Sequence, residues 1–312
     1  MVDLRVTIGS LTLDNPVMPA SGTFADGLAQ IVPFDRLGAL VTKTITAELR
    51  GGNPTPRVAE LDQAMLNSIG IPSSGVDYFV QKSLPFYRKF KSPLVVSISA
   101  PSAGAFAELA ARFELPGVAA IEANISCPNI EEDGKAFAMN PRSTDMAVRK
   151  LRKATNLPLW VKLTPNTSDV AAVARAAENA GADALVVANT ILAMSIDVET
   201  FKPRLGNIMG GMSGPAIKPI VVRMTYQCAK AVRIPVIGCG GISTAADAVE
   251  YMLAGATAVQ VGTATFLRPS AMTDVIDGLT AFCQRKGIAR VSDLIGAVGD
   301  AEMAVDDLEA VP

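Results

Sequence analysis

At 312 residues the chain has room for one barrel-sized domain or two smaller ones. Apolar residues make up 49% of it and charged residues 19%, a balance that builds a large core and excludes general disorder. The formal charge of -2 gives no electrostatic reason to expect nucleic acid or an anionic membrane as partner. Histidine is absent, which removes Ser-His-Asp hydrolysis, the H-E-x-x-H zinc site and every histidine base together. Any proton transfer falls to Lys, Cys, Tyr, Asp or Glu. The four cysteines, Cys127, Cys228, Cys239 and Cys283, form no C-x2-C or C-x4-C run, so no metal or iron–sulfur centre is expected in this chain.

The first twenty residues alternate polar with apolar and read as edge strands. No signal peptide and no run of eighteen apolar residues is apparent, and a cytoplasmic location is expected. Eight short apolar segments then recur: VMPA at 17–20, ALVTKT at 39–44, LVVSIS at 94–99, AAIEANIS at 119–126, LWVKLT at 159–164, ALVVANT at 184–190, PVIGCG at 235–240 and AVQVGT at 258–263. Between most of them the apolar spacing is helical, as in Ala105-Leu109-Phe113, Val170-Val173-Ala177 and Ala245-Val249-Leu253. Gly181 and Gly255 stand where helices close before the next strand. A doubly wound sheet uses the same unit. Eight strands, polar residues gathered at strand ends and no G-x-G-x-x-G after the first strand favour a single closed (β/α)8 TIM barrel over 1–312. Long insertions at 45–80 and 191–214, and the loop 129–143 with its EEDGK run, fall where barrels build and cover an active site.

The chemistry-bearing residues sit at these strand ends. Most free cysteines are small buried hydrophobes, but Cys127 follows a strand, precedes a proline, and lies between Asn124 and Asn129. A thiol of pKa about 8.5 is a workable base for a carbon acid beside a carbonyl, and two amides can hold a planar amide-like ring. Lys43 and Lys162 lie inside apolar strands, which points to an anion or an electron-rich ring at the barrel mouth, or to a salt bridge for which Glu122 is the best partner. Gly240 and Gly241, with Gly262 and Thr263, follow the last two strands, where backbone N–H groups commonly hold a phosphate. Gly210, Gly211, Ser213 and Gly214 add donors. Ala20, Ser21 and Gly22 let a flat ring lie against the backbone. Asn67, Ser68 and Gly70, with Asn189 and Thr190, add polar groups at neighbouring positions.

Ordered stretches through nearly the whole chain resemble the dihydroorotate dehydrogenases: TKT at 42–44, NPTPR at 53–57, LNSIG at 66–70, NISCPN at 124–129, VKLTPN at 161–166, ANT at 188–190, GGMSGPAIKP at 210–219, IGCGG at 237–241 and VGTATF at 261–266. The resemblance implies an FMN-dependent barrel that oxidises (S)-dihydroorotate to orotate in de novo pyrimidine biosynthesis. Cys127 would remove the C5 proton while the C6 hydride passes to FMN. Lys43, Asn67, Asn124, Asn129, Asn189 and Thr190 would hold the pyrimidine, with Ser68, Ile69, Gly70 and Ile71 alongside. Ala20, Ser21, Gly22, Lys43, Thr44 and Asn124 would contact the flavin, with Lys162 at its N1/O2 edge. Gly214, Cys239, Gly240, Gly241, Gly262 and Thr263 would surround the phosphate end. A cysteine base and no membrane-binding extension match the soluble class. The wording is nearest its NAD-linked subclass, whose catalytic chain forms a homodimeric core with an electron-transfer subunit carrying FAD and a [2Fe-2S] cluster. The chain departs from that subclass after CPN, where IEEDGKAFAMNP replaces a glycine-rich stretch. Other readings of the same residues are a flavin barrel for another dihydropyrimidine, a non-redox lyase or isomerase of a phosphorylated substrate, and a scaffold that keeps only the fold.

Overall fold

A computed structural model describes residues 2–126 and 136–299. Its centre is an eight-stranded parallel sheet: β1 (Val17–Pro19), β2 (Leu40–Val41), β3 (Leu94–Ile98), β4 (Ala120–Asn124), β5 (Leu159–Lys162), β6 (Ala184–Val187), β7 (Val236–Cys239) and β8 (Ala256–Val261). β3, β4, β5, β6 and β7 are buried along their whole length, as strands covered on both faces must be, and this is why they read as continuous apolar runs. The order is β1-β8-β7-β6-β5-β4-β3-β2. At the seam between β1 and β2, the Gly38 N–H donates to the Val17 carbonyl at 2.8 Å and brings the two ends together. The closed β/α barrel expected from the eight segments is the fold observed.

Helices cover the outside. Pro141–Ala154 shows how sequence starts one: Asn140 caps it by accepting from the Ser143 N–H at 2.9 Å, and Pro141 occupies the first turn, where no N–H is needed. Its Thr144, Ala147, Val148 and Leu151 are buried at helical spacing; full burial of an aliphatic side chain such as Leu151 stabilises the fold by about 1.5–3 kcal/mol. The predicted helices are found at Ala103–Ala111, Val170–Asn179 and Ala245–Leu253. One apolar core joins residues from Val6 to Leu294. An N-terminal hairpin, Val6–Ile8 with Leu11–Leu13, precedes β1, in agreement with the alternation of the first twenty residues. Among the described residues no helix is long and apolar enough to cross a membrane.

The insertions after β2 and β6 are not plain loops. They combine into one antiparallel sheet, ordered Ile191–Met194, Met209–Ser213, Ala64–Asn67 and Val58–Leu61. The middle pair joins Gly211 to Asn67. This sheet carries its own small core of Ala59, Leu66 and Leu205, and it stands over the C-terminal ends of the barrel strands.

Candidate active site

The parallel register fixes which side chains share the barrel interior. Asn124 pairs with Lys162 across β4 and β5, Glu122 with Ser97 across β4 and β3, and Gln260 with Cys239 across β8 and β7. Side chains alternate between faces along a strand, so Glu122 and Asn124 both point inward, as do Trp160 and Lys162. The lone tryptophan, Trp160, is fully buried lower in the barrel, and above it the interior turns polar.

Amides gather at the end of β4 and β6. Asn189 donates from Nδ2 to Asn124 Oδ1 at 3.4 Å and to the Ser126 hydroxyl. The Ser126 hydroxyl in turn donates to Asn124 Oδ1. Asn189 Oδ1 accepts from the Thr190 N–H at 2.8 Å, which settles the direction of its amide. Asn67 reaches the same space from the antiparallel sheet, its Nδ2 anchored on the Gly211 carbonyl at 2.9 Å. These groups line an open cavity of about 1080 Å³, together with Ser21, Gly22, Lys43, Thr44, Ser68, Ile69, Gly70 and Ile71. Lys43 Nζ donates to the Gly22 carbonyl at 3.2 Å.

A second cavity of about 350 Å³ adjoins it and shares Gly22, Lys43, Asn67, Ile69, Lys162, Asn189 and Thr190. Its far end is lined by Gly214, Cys239, Gly240, Gly241, Gly262 and Thr263, with Ala20 at the side. Gly214, Gly240 and Gly241 have φ of 101°, 152° and 70°, conformations that side-chain-bearing residues rarely adopt. A Cβ on Gly241 would stand 2.8 Å from Lys218 Cβ and 2.9 Å from the Gly214 carbonyl oxygen. Gly241 therefore has to be bare backbone. The helices Lys218–Ala231 and Ala245–Leu253 both start near it, the second with its first N–H groups already taken by its own capping box, so the donors left to this end are the backbone N–H groups of the glycine turns. The donor set fits a phosphate.

Between the two cavities lies a buried ionic network. Lys162 Nζ donates to Gln260 Oε1 at 3.2 Å and to Ser21 Oγ at 3.3 Å, and stands 3.9 Å from Glu122 Oε1. Glu122 accepts from Gln260 Nε2 at 2.6 Å and Ser97 Oγ at 3.1 Å. The salt bridge across the barrel and the lysine at the cavity floor, posed as alternatives by the sequence, are one arrangement. Burial pushes the Cys239 thiol up against the opposing pull of Lys162, and burial also drives Cys228 up to about 12. Neither is suited to act as a base near neutrality.

The family model for dihydroorotate dehydrogenase matches residues 3–283. A protein of Trichlorobacter lovleyi named dihydroorotate dehydrogenase B (NAD(+)), catalytic subunit, is 48% identical over 298 residues, 95% of this chain and 98% of that one. Proteins of the same name from Desulforamulus reducens and Geobacter sulfurreducens are 48% and 47% identical over 299 residues, with the same coverage. The chain belongs to the dihydroorotate dehydrogenase family. Of the positions that the family resemblance marked, every one within the described residues lines one of the two cavities. Cys127 and Asn129 lie outside the described residues. Sequence reasoning passed over Gln260 and Ser126. The signal for Gln260 was present: a lone amide inside the apolar run AVQVGT, two residues before a glycine that faces the cavity.

Proposed function

We propose that this chain oxidises (S)-dihydroorotate to orotate with FMN as its flavin, and that it is the catalytic subunit of an NAD-linked enzyme. The observation that carries the reading is the pair of adjoining cavities, one closed by phosphate-suited backbone and the other walled with amides, meeting at Lys43 and Lys162. The names of the relatives agree with it. When bound, FMN supplies a two-electron acceptor for the C6 hydride. Gly214, Gly240, Gly241, Gly262 and Thr263 hold the phosphate end, and Ala20, Ser21, Gly22 and Thr44 border the ring. Lys162 places positive charge where the ring gains electrons. Asn67, Asn124, Asn129 and Asn189 orient the pyrimidine through paired donors and acceptors, with Lys43 and Thr190 beside it. Cys127 accepts the C5 proton, since a carbon acid next to a carbonyl needs a base poised near neutral pH. Electrons leave through a partner subunit carrying FAD and a [2Fe-2S] cluster, docked on a homodimeric core, in the cytoplasm.

Purified protein should be yellow, with a band near ~450 nm that bleaches under anaerobic dihydroorotate and not under dihydrouracil. Cys127→Ala should still take up flavin and be reduced roughly 10²–10⁴-fold more slowly. A colourless protein that takes up no FMN overturns the reading. Unchanged reduction by the alanine variant moves the base elsewhere.

A further inference from the structure

We infer that Glu122 is a positioning residue for Lys162, acting through Gln260, and that this trio sets how readily a flavin in the adjoining cavity accepts electrons. The inference rests on the FMN reading above. Glu122 is completely buried, and both its oxygens are acceptors: Oε1 from Ser97 and Oε2 from Gln260. A carboxylate has no proton to donate, so Gln260 must turn its NH2 toward Glu122 and its carbonyl the other way. That carbonyl receives the Lys162 ammonium at 3.2 Å. The amide is therefore a one-way spacer, its direction fixed by the carboxylate at one end and the ammonium at the other.

The spacing matters. Lys162 stands 3.9 Å from Glu122 Oε1, beyond hydrogen-bond length, while Ser21 on the β1 side draws it at 3.3 Å. The ammonium is thus suspended between the cavity and its counter-charge instead of collapsing onto the carboxylate. Burying an ammonium is costly, and the acceptors Gln260 and Ser21 share with the nearby Glu122 in offsetting that cost. The same carboxylate opposes the lysine's field, because fields in a buried site are weakly screened. A ring that gains electrons above Lys162 meets attraction from the ammonium and repulsion from Glu122.

The test uses the FMN-loaded protein, its reduced and oxidised flavin read against a reference dye held at one fixed ratio. Glu122→Gln removes the opposing charge and should raise the reduced-to-oxidised flavin ratio about tenfold. Gln260→Met removes the spacer, lets Lys162 close onto Glu122, and should lower the ratio. Glu122→Asp keeps the charge and should stay within about threefold of wild type. A ratio for Glu122→Gln that falls or stays within twofold of wild type, or an Asp variant displaced as far as the Gln variant, overturns the inference. If Glu122→Gln does not fold, Gln260→Met decides alone, and a ratio that fails to fall overturns it. Wild-type protein that takes up no FMN overturns the functional reading and this inference together. FMN uptake with unmoved variants overturns this inference only.

Discussion

Gly38 shows how one missing side chain closes a barrel. A Cβ there would lie 2.0 Å from the Asn15 carbonyl oxygen and 3.2 Å from that of Val17, both backbone atoms that cannot rotate aside. Asn15 itself is tied across the seam, its Nδ2 donating to the Arg36 carbonyl at 2.8 Å while its Oδ1 accepts from the Val17 N–H at 3.1 Å. Gly38→Ala must therefore open the β1–β2 seam, and a loss of about 3 kcal/mol in chemical denaturation is expected, at the upper end of overpacking. A loss under about 0.5 kcal/mol would mean that the seam has slack. At this scale the sequence is legible where chemistry is unusual for its setting. Lysines in apolar sequence runs and glycines after strands announced the cavities. Gln260 stood out only as a lone amide in an apolar run, and Ser126 not at all, because their roles depend on partners remote in sequence: Glu122 and Lys162 for one, Asn189 for the other.

The helix Ala245–Leu253 begins with a capping box directly after the glycine turn of β7. Thr244 accepts from the Asp247 N–H at 3.3 Å, and Asp247 Oδ2 accepts from the Thr244 and Ser243 N–H groups at 2.9 and 3.0 Å. Lys218 at the start of the neighbouring helix adds a 2.7 Å contact to Asp247, so the box also ties the two helix starts together. Burial works against ionisation of Asp247, yet the hydrogen bonds from Lys218, Ser243 and Thr244 outweigh it and hold the carboxyl below its usual range. A depressed folded-state pKa contributes stability above the unfolded value, about 3.9, and that contribution fades as pH falls through the folded value. Asp247→Asn should therefore cost about 2 kcal/mol near pH 7, and its gap from wild type should shrink below about pH 4. A gap that widens in acid would refute the account. Elements of this kind, and the eight buried strands, could be read from local pattern. The antiparallel sheet could not: it joins residues 144 apart, as in the Asn67 to Gly211 bond, and one of its strands is the glycine-rich MGGMS. Neither alternation nor β propensity marks such a segment. Its pairing is decided by the barrel that brings its ends together.

For the whole molecule, the two cavities draw on nearly every barrel strand, from Ala20 after β1 to Thr263 after β8. A ligand seated there touches parts of the chain that are remote in sequence and must all be in place at once. It binds the folded state and not the unfolded one, so it stabilises by mass action, about 2.7 kcal/mol at a hundredfold excess over its dissociation constant. For a chain of this size that corresponds to a rise in melting temperature of about 5 °C. On the FMN reading proposed above, much of the affinity comes from the phosphate at the glycine-lined end. Riboflavin carries the same ring without one, and at equal concentration it should raise the melting temperature by less than about 1 °C. Thermal melts of flavin-free protein with each compound separate the two cases. Equal shifts would mean that the ring alone is recognised and that the backbone around Gly240 and Gly241 closes a turn without holding an anion.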